Sequence, residues 1–141
     1  MKIKLPSLSV NESVARSVVA AFCAQLDPTT SELADIKCVV SEAVTNCIVH
    51  AYKDTVGIIY ISVALYKSGL VRLEIRDKGV GIGDVSRARE PLFTTDAQNE
   101  RSGMGFTVME SFTDKIRVSS RLGEGTRVVM YKRLTGRGEI A

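Results

Sequence analysis

Apolar and polar positions along the chain follow two different periods, and these periods predict its secondary structure. Apolar residues recur at spacings of three and four in residues 10–26 and again in residues 30–52, which is the spacing of an amphipathic helix. In residues 70–76 they alternate with charged residues, which is typical of a strand with one face on a core. The pattern therefore predicts two long helices followed by a sheet.

The remaining elements are short and are separated by turn residues. Strands are predicted at residues 2–8, 57–66, 116–120 and 126–131, and short helices at 84–89 and 104–112. Pro6 favours an edge position for the first strand, because proline has no N–H to donate to a neighbouring strand. The order β-α-α-β-β-loop-α-β-β predicts an α+β fold, a two-layer α/β sandwich with a mostly antiparallel mixed sheet and its helices on one face.

Sequence signals also mark where each long helix begins and which side faces the core. Ser9 with Glu12, and Thr29 with Glu32, have the spacing of a capping box. The inner face of the first helix is predicted to carry Val14, Val18, Ala21 and Phe22. The inner face of the second is predicted to carry Leu33, Ile36, Val40, Ala43, Val44, Cys47 and Ala51.

Composition narrows the class of protein. The 141 residues are 45% hydrophobic and 25% charged, which excludes a disordered or low-complexity chain. We expect one domain over residues 1–141, with residues 136–141 as a frayed tail. The 19 basic and 16 acidic residues give a net charge of +3 and are interleaved, which argues against direct nucleic-acid binding.

Two further patterns bear on the cellular compartment. Residues 1–6 do not begin a signal peptide, and no apolar run is long enough to span a membrane. The three cysteines lie within apolar periodic stretches and have no CxxC spacing, which is typical of small buried side chains in a reducing environment. We therefore expect a cytoplasmic protein that does not interact with membranes.

The first candidate for chemistry is a polar stripe on the second helix. Glu42, Asn46 and His50 lie one turn apart on the same side. Val39 and Val49 flank the stripe, which suggests a lined cleft rather than open solvent. Taken alone, the stripe fits an ordinary exposed polar face somewhat better.

The second candidate is a glycine-rich loop directly after a strand. Asp77 is followed by glycines at alternate positions, Gly79, Gly81 and Gly83, and such a loop allows the backbone to approach a ligand closely. The dinucleotide-binding fingerprint does not fit, because it needs glycine where Asp84 stands. A bare turn is the alternative, although the spacing matches no common turn.

The third candidate is the segment that opens a predicted helix, where Gly103, Met104 and Gly105 follow Arg101. Glycines at a helix N-terminus expose backbone N–H groups where the helix dipole favours anions, and arginine is suited to phosphate. A glycine-rich helix cap with a surface arginine is the alternative. Each of the three candidates is weak by itself.

In this order, the three motifs resemble those of the GHKL (Bergerat-fold) ATPase and kinase superfamily. Residues 42–46 resemble its N box, residues 77–81 its first glycine box and residues 103–105 its second, and Thr126 resembles a threonine near the adenine. Within the superfamily, the segments EAVTNCIVHAY, EPLFTT and ERSGMGFTVMESF are similar to the anti-sigma-factor serine kinases. The sporulation (anti-sigma F) branch is the most similar, and the stress-response (sigma B-type) branch is the alternative.

The resemblance implies that the chain binds ATP and Mg²⁺. Asp77 would accept a hydrogen bond from the adenine amine, and Gly79 and Gly81 would allow the chain to pass close to the nucleotide. Asn46 would hold Mg²⁺ through its side-chain oxygen. Thr126 would lie near the adenine.

The resemblance also implies a phosphate end of the site. Gly103, Met104 and Gly105 would surround the phosphates with backbone N–H groups, and Arg101 would reach the γ-phosphate. Glu42 would be the general base that takes a proton from a serine hydroxyl. Residues 91–102 would form a mobile lid over ATP.

The partners implied are proteins. The chain would bind an RNA polymerase sigma factor, phosphorylate a serine of an anti-anti-sigma protein, and form a homodimer. Glu12 and Arg16 on the first helix would contact a partner, although a solvated i,i+4 ion pair is the alternative. His50 would be a helix-end group near the site, or would cap the helix.

Two other functions remain open at this point. A non-enzymatic ATP-binding anti-sigma module needs no carboxylate at position 42, so Glu42 argues against it. A simple ATP hydrolase would use the same glutamate to activate water, but we expect such enzymes to carry further domains that 141 residues do not accommodate.

Overall fold

The computed structural model describes residues 1–90 and 105–136. The strands are β1 (Lys2–Pro6), β2 (Ile58–Leu65), β3 (Leu70–Arg76), β4 (Lys115–Arg121) and β5 (Gly125–Arg133). The helices are α1 (Val10–Cys23), α2 (Thr30–Asn46), α3 (Val85–Ala88) and α4 (Phe106–Ser111). The predicted lid, and the predicted tail beyond residue 136, lie outside the described residues.

The five strands form one sheet in the order β1-β2-β3-β5-β4, and each neighbouring pair is antiparallel. Strand β1, which ends at Pro6, lies at an edge as predicted. Helices α1 and α2 pack against each other, and with α4 they cover one face of the sheet. The predicted two-layer α+β class is confirmed.

The core lies between this helical layer and the covered face of the sheet. Alternate residues of the central strands point into it, which are Ile59, Ile61 and Val63 on β2, Val71, Leu73 and Ile75 on β3, and Val128 and Met130 on β5. Helix α2 contributes the predicted Ile36, Val40, Ala43 and Val44, together with Val39, and the turn after it contributes Cys47 and Ala51. Leu33 is only half-buried.

The inner face of α1 differs from the prediction by about one residue. Its buried residues are Ala15, Val19, Ala20 and Cys23, whereas Val14 is 40% exposed and Ala21 is exposed. Apolar residues occur on nearly every side of α1, so their period does not select one face. Contact with α2 selects the smaller side chains, because they allow the two helices to approach closely.

One of the two predicted helix caps is confirmed and the other is wrong. Thr29 accepts a hydrogen bond from the Glu32 N–H and donates its own backbone N–H to the Glu32 carboxylate, so the capping box is complete. Ser9 has helical φ and ψ of −56° and −32° and makes no side-chain cap. Glu12, its intended partner, instead forms an ion pair with Arg16 at 2.9 Å.

Helix α2 ends in a widened turn that joins three parts of the fold. After Asn46 the chain forms one π-helical turn over Cys47–Ala51. The Tyr52 hydroxyl that follows donates to the Ile58 carbonyl and accepts from the Lys78 N–H, both at 2.7 Å. This ring therefore fixes the end of α2 against the start of β2 and against the loop after β3.

The other face of the sheet carries no helix among the described residues and is basic. Lys4, Arg76 and Lys78 lie 4.7–5.7 Å from the centre of the Tyr60 ring. Glu74 is an acidic residue on this face, and it pairs with both Arg72 and Arg127. None of the helices in the described ranges is long and apolar enough to cross a membrane.

Candidate nucleotide-binding site

A narrow cleft lies between the C-terminal part of α2 and the ends of strands β3 and β5. Its apolar walls are formed by Ala43, Ile75, Val80, Ile82, Phe106 and Val128. Its polar groups belong to Asn46, Cys47, His50, Asp77 and Thr126. An apolar slot with a few convergent polar groups is the usual form of a small-molecule site.

Asp77 is the buried carboxylate of this cleft, and it comes directly after β3. It is 6% exposed, and its Oδ1 accepts hydrogen bonds from the backbone N–H groups of Gly79 at 2.9 Å and Thr126 at 3.2 Å. Burial raises the pKa of the Asp77 carboxyl, and its hydrogen bonds oppose that rise. The carboxylate is thus a fixed acceptor in an apolar wall.

Cys47 completes the surroundings of Asp77, and the sequence patterns gave it no role beyond filling the core. Its Sγ lies 3.6 Å from Asp77 Oδ2 and donates to it. Burial raises the pKa of the Cys47 thiol well above its ordinary value, and the neighbouring carboxylate raises it further. Cys47 is therefore a neutral donor rather than a reactive thiolate.

Thr126 reaches Asp77 because β5 pairs directly with β3. Its backbone carbonyl also accepts from the Asp77 N–H at 2.9 Å, so the two residues are joined through main chain and side chain. The Thr126 hydroxyl lies 2.7 Å from that of Ser120 on β4. Ser120 was missed at the sequence level, where only its place at the end of a short strand could have indicated it.

The glycine loop fits between two pieces of backbone. The Val80 N–H donates to the Ala51 carbonyl at 3.1 Å, and the Val80 carbonyl accepts from the Gly123 N–H at 2.8 Å. Gly81 has a φ of +77°, and a side chain there would overlap the Arg121 carbonyl. Packing within the protein is sufficient to require glycine at this position, whatever the loop binds.

Glu42 lies one turn before Asn46 on α2 and faces the start of α4. Gly105 has a φ of +59°, and a Cβ at this residue would overlap the Glu42 carboxylate. Burial raises the pKa of Glu42 above its ordinary value. A half-buried carboxyl group with a raised pKa is suited to accept a proton.

Some of the other predicted site residues line the cleft, and some lie outside the described residues. Asn46 and His50 line the cleft, and both are half-buried. Arg101, Gly103 and Met104 lie outside the described residues. The structure therefore brings together Asn46, Asp77, Gly81 and Thr126, with Gly79 bonded to Asp77 and with Glu42 beside Gly105.

Glu12 and Arg16 lie on α1 and form the i,i+4 ion pair considered above. Arg16 Nη1 also lies 3.3 Å from the Ser41 hydroxyl, next to Glu42 in the chain. This surface is separate from the residues that line the cleft.

The residues present fit a planar base that carries an amine. The apolar walls can sandwich a ring, and Asp77 and Thr126 place oxygen atoms at its edge. The Asn46 amide oxygen is a hard ligand of the type that Mg²⁺ takes.

Comparison with known proteins agrees with this geometry. The family model described as "Histidine kinase-like ATPase domain" matches residues 5–132. A protein named anti-sigma F factor from Priestia megaterium is 54% identical over 136 residues, which cover 96% of this chain and 92% of that protein. The anti-sigma F factor of Geobacillus stearothermophilus is 56% identical over 133 residues, covering 94% and 90%.

Solved structures share the fold at low sequence identity. The RsbU and RsbW domains of Rv1364c from Mycobacterium tuberculosis superpose with a TM-score of 0.68 at 22% identity, over 95% of this chain and 32% of that one. The catalytic domain of the histidine kinase ThkA superposes with a TM-score of 0.56 at 17% identity, over 95% and 96%.

Proposed function

We propose that the chain is an anti-sigma factor and protein serine kinase, because it belongs to the histidine kinase-like ATPase domain family and, within that family, to the anti-sigma F factors. It binds ATP with Mg²⁺, binds a sigma factor of the F type, and phosphorylates a serine of an anti-anti-sigma protein. The names of its relatives support the sporulation branch over the stress-response branch. The homodimer implied by the resemblance stays a prediction.

The observation that supports this proposal most strongly is that the carboxylates of Asp77 and Glu42 lie in different surroundings. Asp77 is fixed in an apolar wall by backbone N–H groups, which suits recognition of a base. Glu42, on α2, faces Gly105 at the start of α4 and is not among the residues that line the cleft, which suits proton transfer. Burial raises the pKa of both groups, as is common at functional sites.

In the proposed site each residue has one task. ATP with Mg²⁺ supplies the phosphoryl group and neutralises its charge. Asp77 accepts the hydrogen bond of the base amine, and Asn46 holds the metal ion. Glu42 accepts the proton of the substrate serine, and Arg101 with the backbone of residues 103–105 stabilises charge on the transferred group.

The decisive experiment is phosphoryl transfer from γ-labelled ATP to an anti-anti-sigma protein, with wild-type chain and with Glu42→Gln. Label appears on a serine of the partner, and Glu42→Gln lowers the rate by about 10²–10⁴-fold, the usual contribution of a general base. The wild-type rate rises with pH through the Glu42 pKa, because only the ionised carboxylate accepts a proton. The affinity for ATP does not change in the variant.

Glu124→Gln, an exposed carboxylate in the β4–β5 turn, is the matched control and leaves the rate unchanged. Free phosphate formed without regard to the partner would indicate a hydrolase instead. ATP binding with neither product would indicate a binding module. Co-elution of the chain with an F-type sigma factor in gel filtration tests the anti-sigma part.

A further inference from the structure

The hydroxyl groups of Ser120 and Thr126 meet at the edge of the cleft, which Thr126 lines. The two residues are paired across strands β4 and β5, and their oxygens are 2.7 Å apart. Ser120 Oγ has two further neighbours at hydrogen-bond distance, the Ile82 N–H at 2.7 Å and the Gly125 carbonyl at 2.9 Å. Ser120 thereby connects the glycine loop to β5.

Donor and acceptor capacities assign the protons of this cluster. The Ile82 N–H can only donate and the Gly125 carbonyl can only accept. Ser120 has one hydroxyl proton, which goes to Gly125. Its contact with Thr126 is then a hydrogen bond only when Thr126 donates, and with this assignment all three contacts are satisfied.

With these proton positions, the Thr126 side chain can only accept a hydrogen bond from a ligand in the cleft. Its hydroxyl proton is held by Ser120, and its backbone N–H is held by Asp77 Oδ1. Thr126 Oγ1 is therefore left with lone pairs only, next to an Asp77 carboxylate that also accepts. The Cys47 thiol does not change this, because it donates to Asp77 Oδ2.

We propose that Ser120 is a specificity-determining positioning residue, which holds the Thr126 hydroxyl as an acceptor and so favours a 6-amino purine nucleotide over a 6-oxo purine nucleotide. An exocyclic amine has two hydrogens and can serve both acceptors. A 6-oxo group would face two acceptors and gain no hydrogen bond from either. This inference rests on the proposed ATP site and adds a residue that does not itself contact the base.

The test compares the affinities of ATP and ITP for the wild-type chain and for Ser120→Ala, by titration calorimetry. Without Ser120, the Thr126 hydroxyl can rotate and donate to the 6-oxo group. The preference for ATP over ITP then falls about three- to tenfold, the range of one neutral hydrogen bond. A merely structural role would weaken both nucleotides equally and leave the ratio unchanged.

Ser119→Ala is the matched control, because Ser119 is exposed and its side chain points to the other face of β4. Its ratio of ATP to ITP affinity equals that of wild type. In a Thr126→Val background, Ser120→Ala has no further effect on the ratio, since its influence passes through the threonine.

Thr126→Val also provides a test that does not depend on the folding of Ser120→Ala. It weakens ATP binding but not ITP binding, because it removes an acceptor. Equal weakening of both nucleotides, or an unchanged ratio in a folded Ser120→Ala, overturns the inference while leaving the ATP site intact. A wild-type chain that binds no ATP overturns the proposed function as well.

Discussion

The two ends of helix α2 use carboxylates in opposite ways. At the N-terminal end, Glu32 accepts hydrogen bonds from the backbone N–H groups of Thr29, Thr135 and Gly136 and from the Thr135 hydroxyl. Burial alone would raise the pKa of Glu32, but these bonds lower it to about 2. At the other end, burial raises the pKa of Glu42 on the helix and of Asp77, which follows β3 and contacts Cys47 in the turn after α2.

Glu32 therefore stabilises the fold, whereas Glu42 and Asp77 are available to interact with a ligand or a proton. Glu32 has its lone pairs occupied by the protein, and it anchors the segment after β5 to the start of α2. Glu42 and Asp77 are desolvated, so their charge is less stabilised and a ligand or a proton can improve their surroundings. Each of the following substitutions changes one side of this contrast.

The largest effect is expected from Gly105→Ala. The new Cβ would overlap the Glu42 carboxylate at a backbone φ of +59°, so the proposed base is displaced. We expect phosphoryl transfer to fall at least about 100-fold, because a misplaced general base loses most of its contribution. The measurement is the labelled-ATP assay with the partner protein.

Gly123→Ala is its control, since Gly123 also has a positive φ, of +80°, but no atom lies near the added Cβ. An alanine at this position has the same kind of strain from a positive φ, and we expect the rate of phosphoryl transfer to equal that of wild type. Equal losses in both variants would show that backbone strain, and not Glu42, is responsible.

Asp77→Asn is expected to have the next largest effect. The amide keeps the shape of the side chain but loses the charge that accepts the base amine. ATP affinity should fall about ten- to a hundredfold, the range for a hydrogen bond to a charged group. Titration calorimetry measures this, and Asp54→Asn at an exposed turn should bind ATP like wild type. Unchanged affinity in Asp77→Asn would refute its assignment to the base.

Glu32→Gln tests the structural end, and its effect is the smallest. It should lower the free energy of unfolding by about 1 kcal/mol at pH 7, since the bonds to the charged group are partly exposed. Because the folded pKa of Glu32 is below its ordinary value of 4.5, this stabilisation is complete above pH 4.5 and is lost as the pH falls towards 2. Nucleotide affinity does not change.

Urea unfolding at pH 7 and at pH 3.5 checks this prediction, with Glu124→Gln as the control. The difference between Glu32→Gln and wild type should shrink at the lower pH. A difference that is the same at both values would mean that the charge of Glu32 contributes nothing.

Of the local sequence signals, the order of the motifs and one of the two capping boxes are confirmed, and the other capping box does not form. The capping box of Thr29 and Glu32 spans three residues, and it forms as predicted. The order of the three motifs identified the superfamily, which the family model and the relatives confirm. Ser9 and Glu12 have the same spacing but fail, because Arg16 offers Glu12 a charged partner one turn away.

Sequence patterns predicted fewer of the contacts between different helices and strands. The period of apolar residues could not select the inner face of α1, since its small residues are chosen by the neighbouring helix. The glycines of the loop after β3 were predicted for approach to a ligand, and the structure adds a packing reason at Gly81. Cys47 had no motif, because it acts through Asp77, which is distant in the chain. Ser120 had none, because its role depends on which side-chain atoms meet across the β4–β5 hairpin.

The sequence by itself determined the strands, the helices and the positions of Glu42, Asn46 and Asp77 on them, since each depends on neighbours along the chain. Only the tertiary structure decided that β5 inserts between β3 and β4. That pairing brings Thr126 to Asp77 across 49 residues of sequence, whereas Ser120 and Thr126 meet within the β4–β5 hairpin. Strand order depends on which distant edges pair and bury their faces together, and no local period encodes that choice.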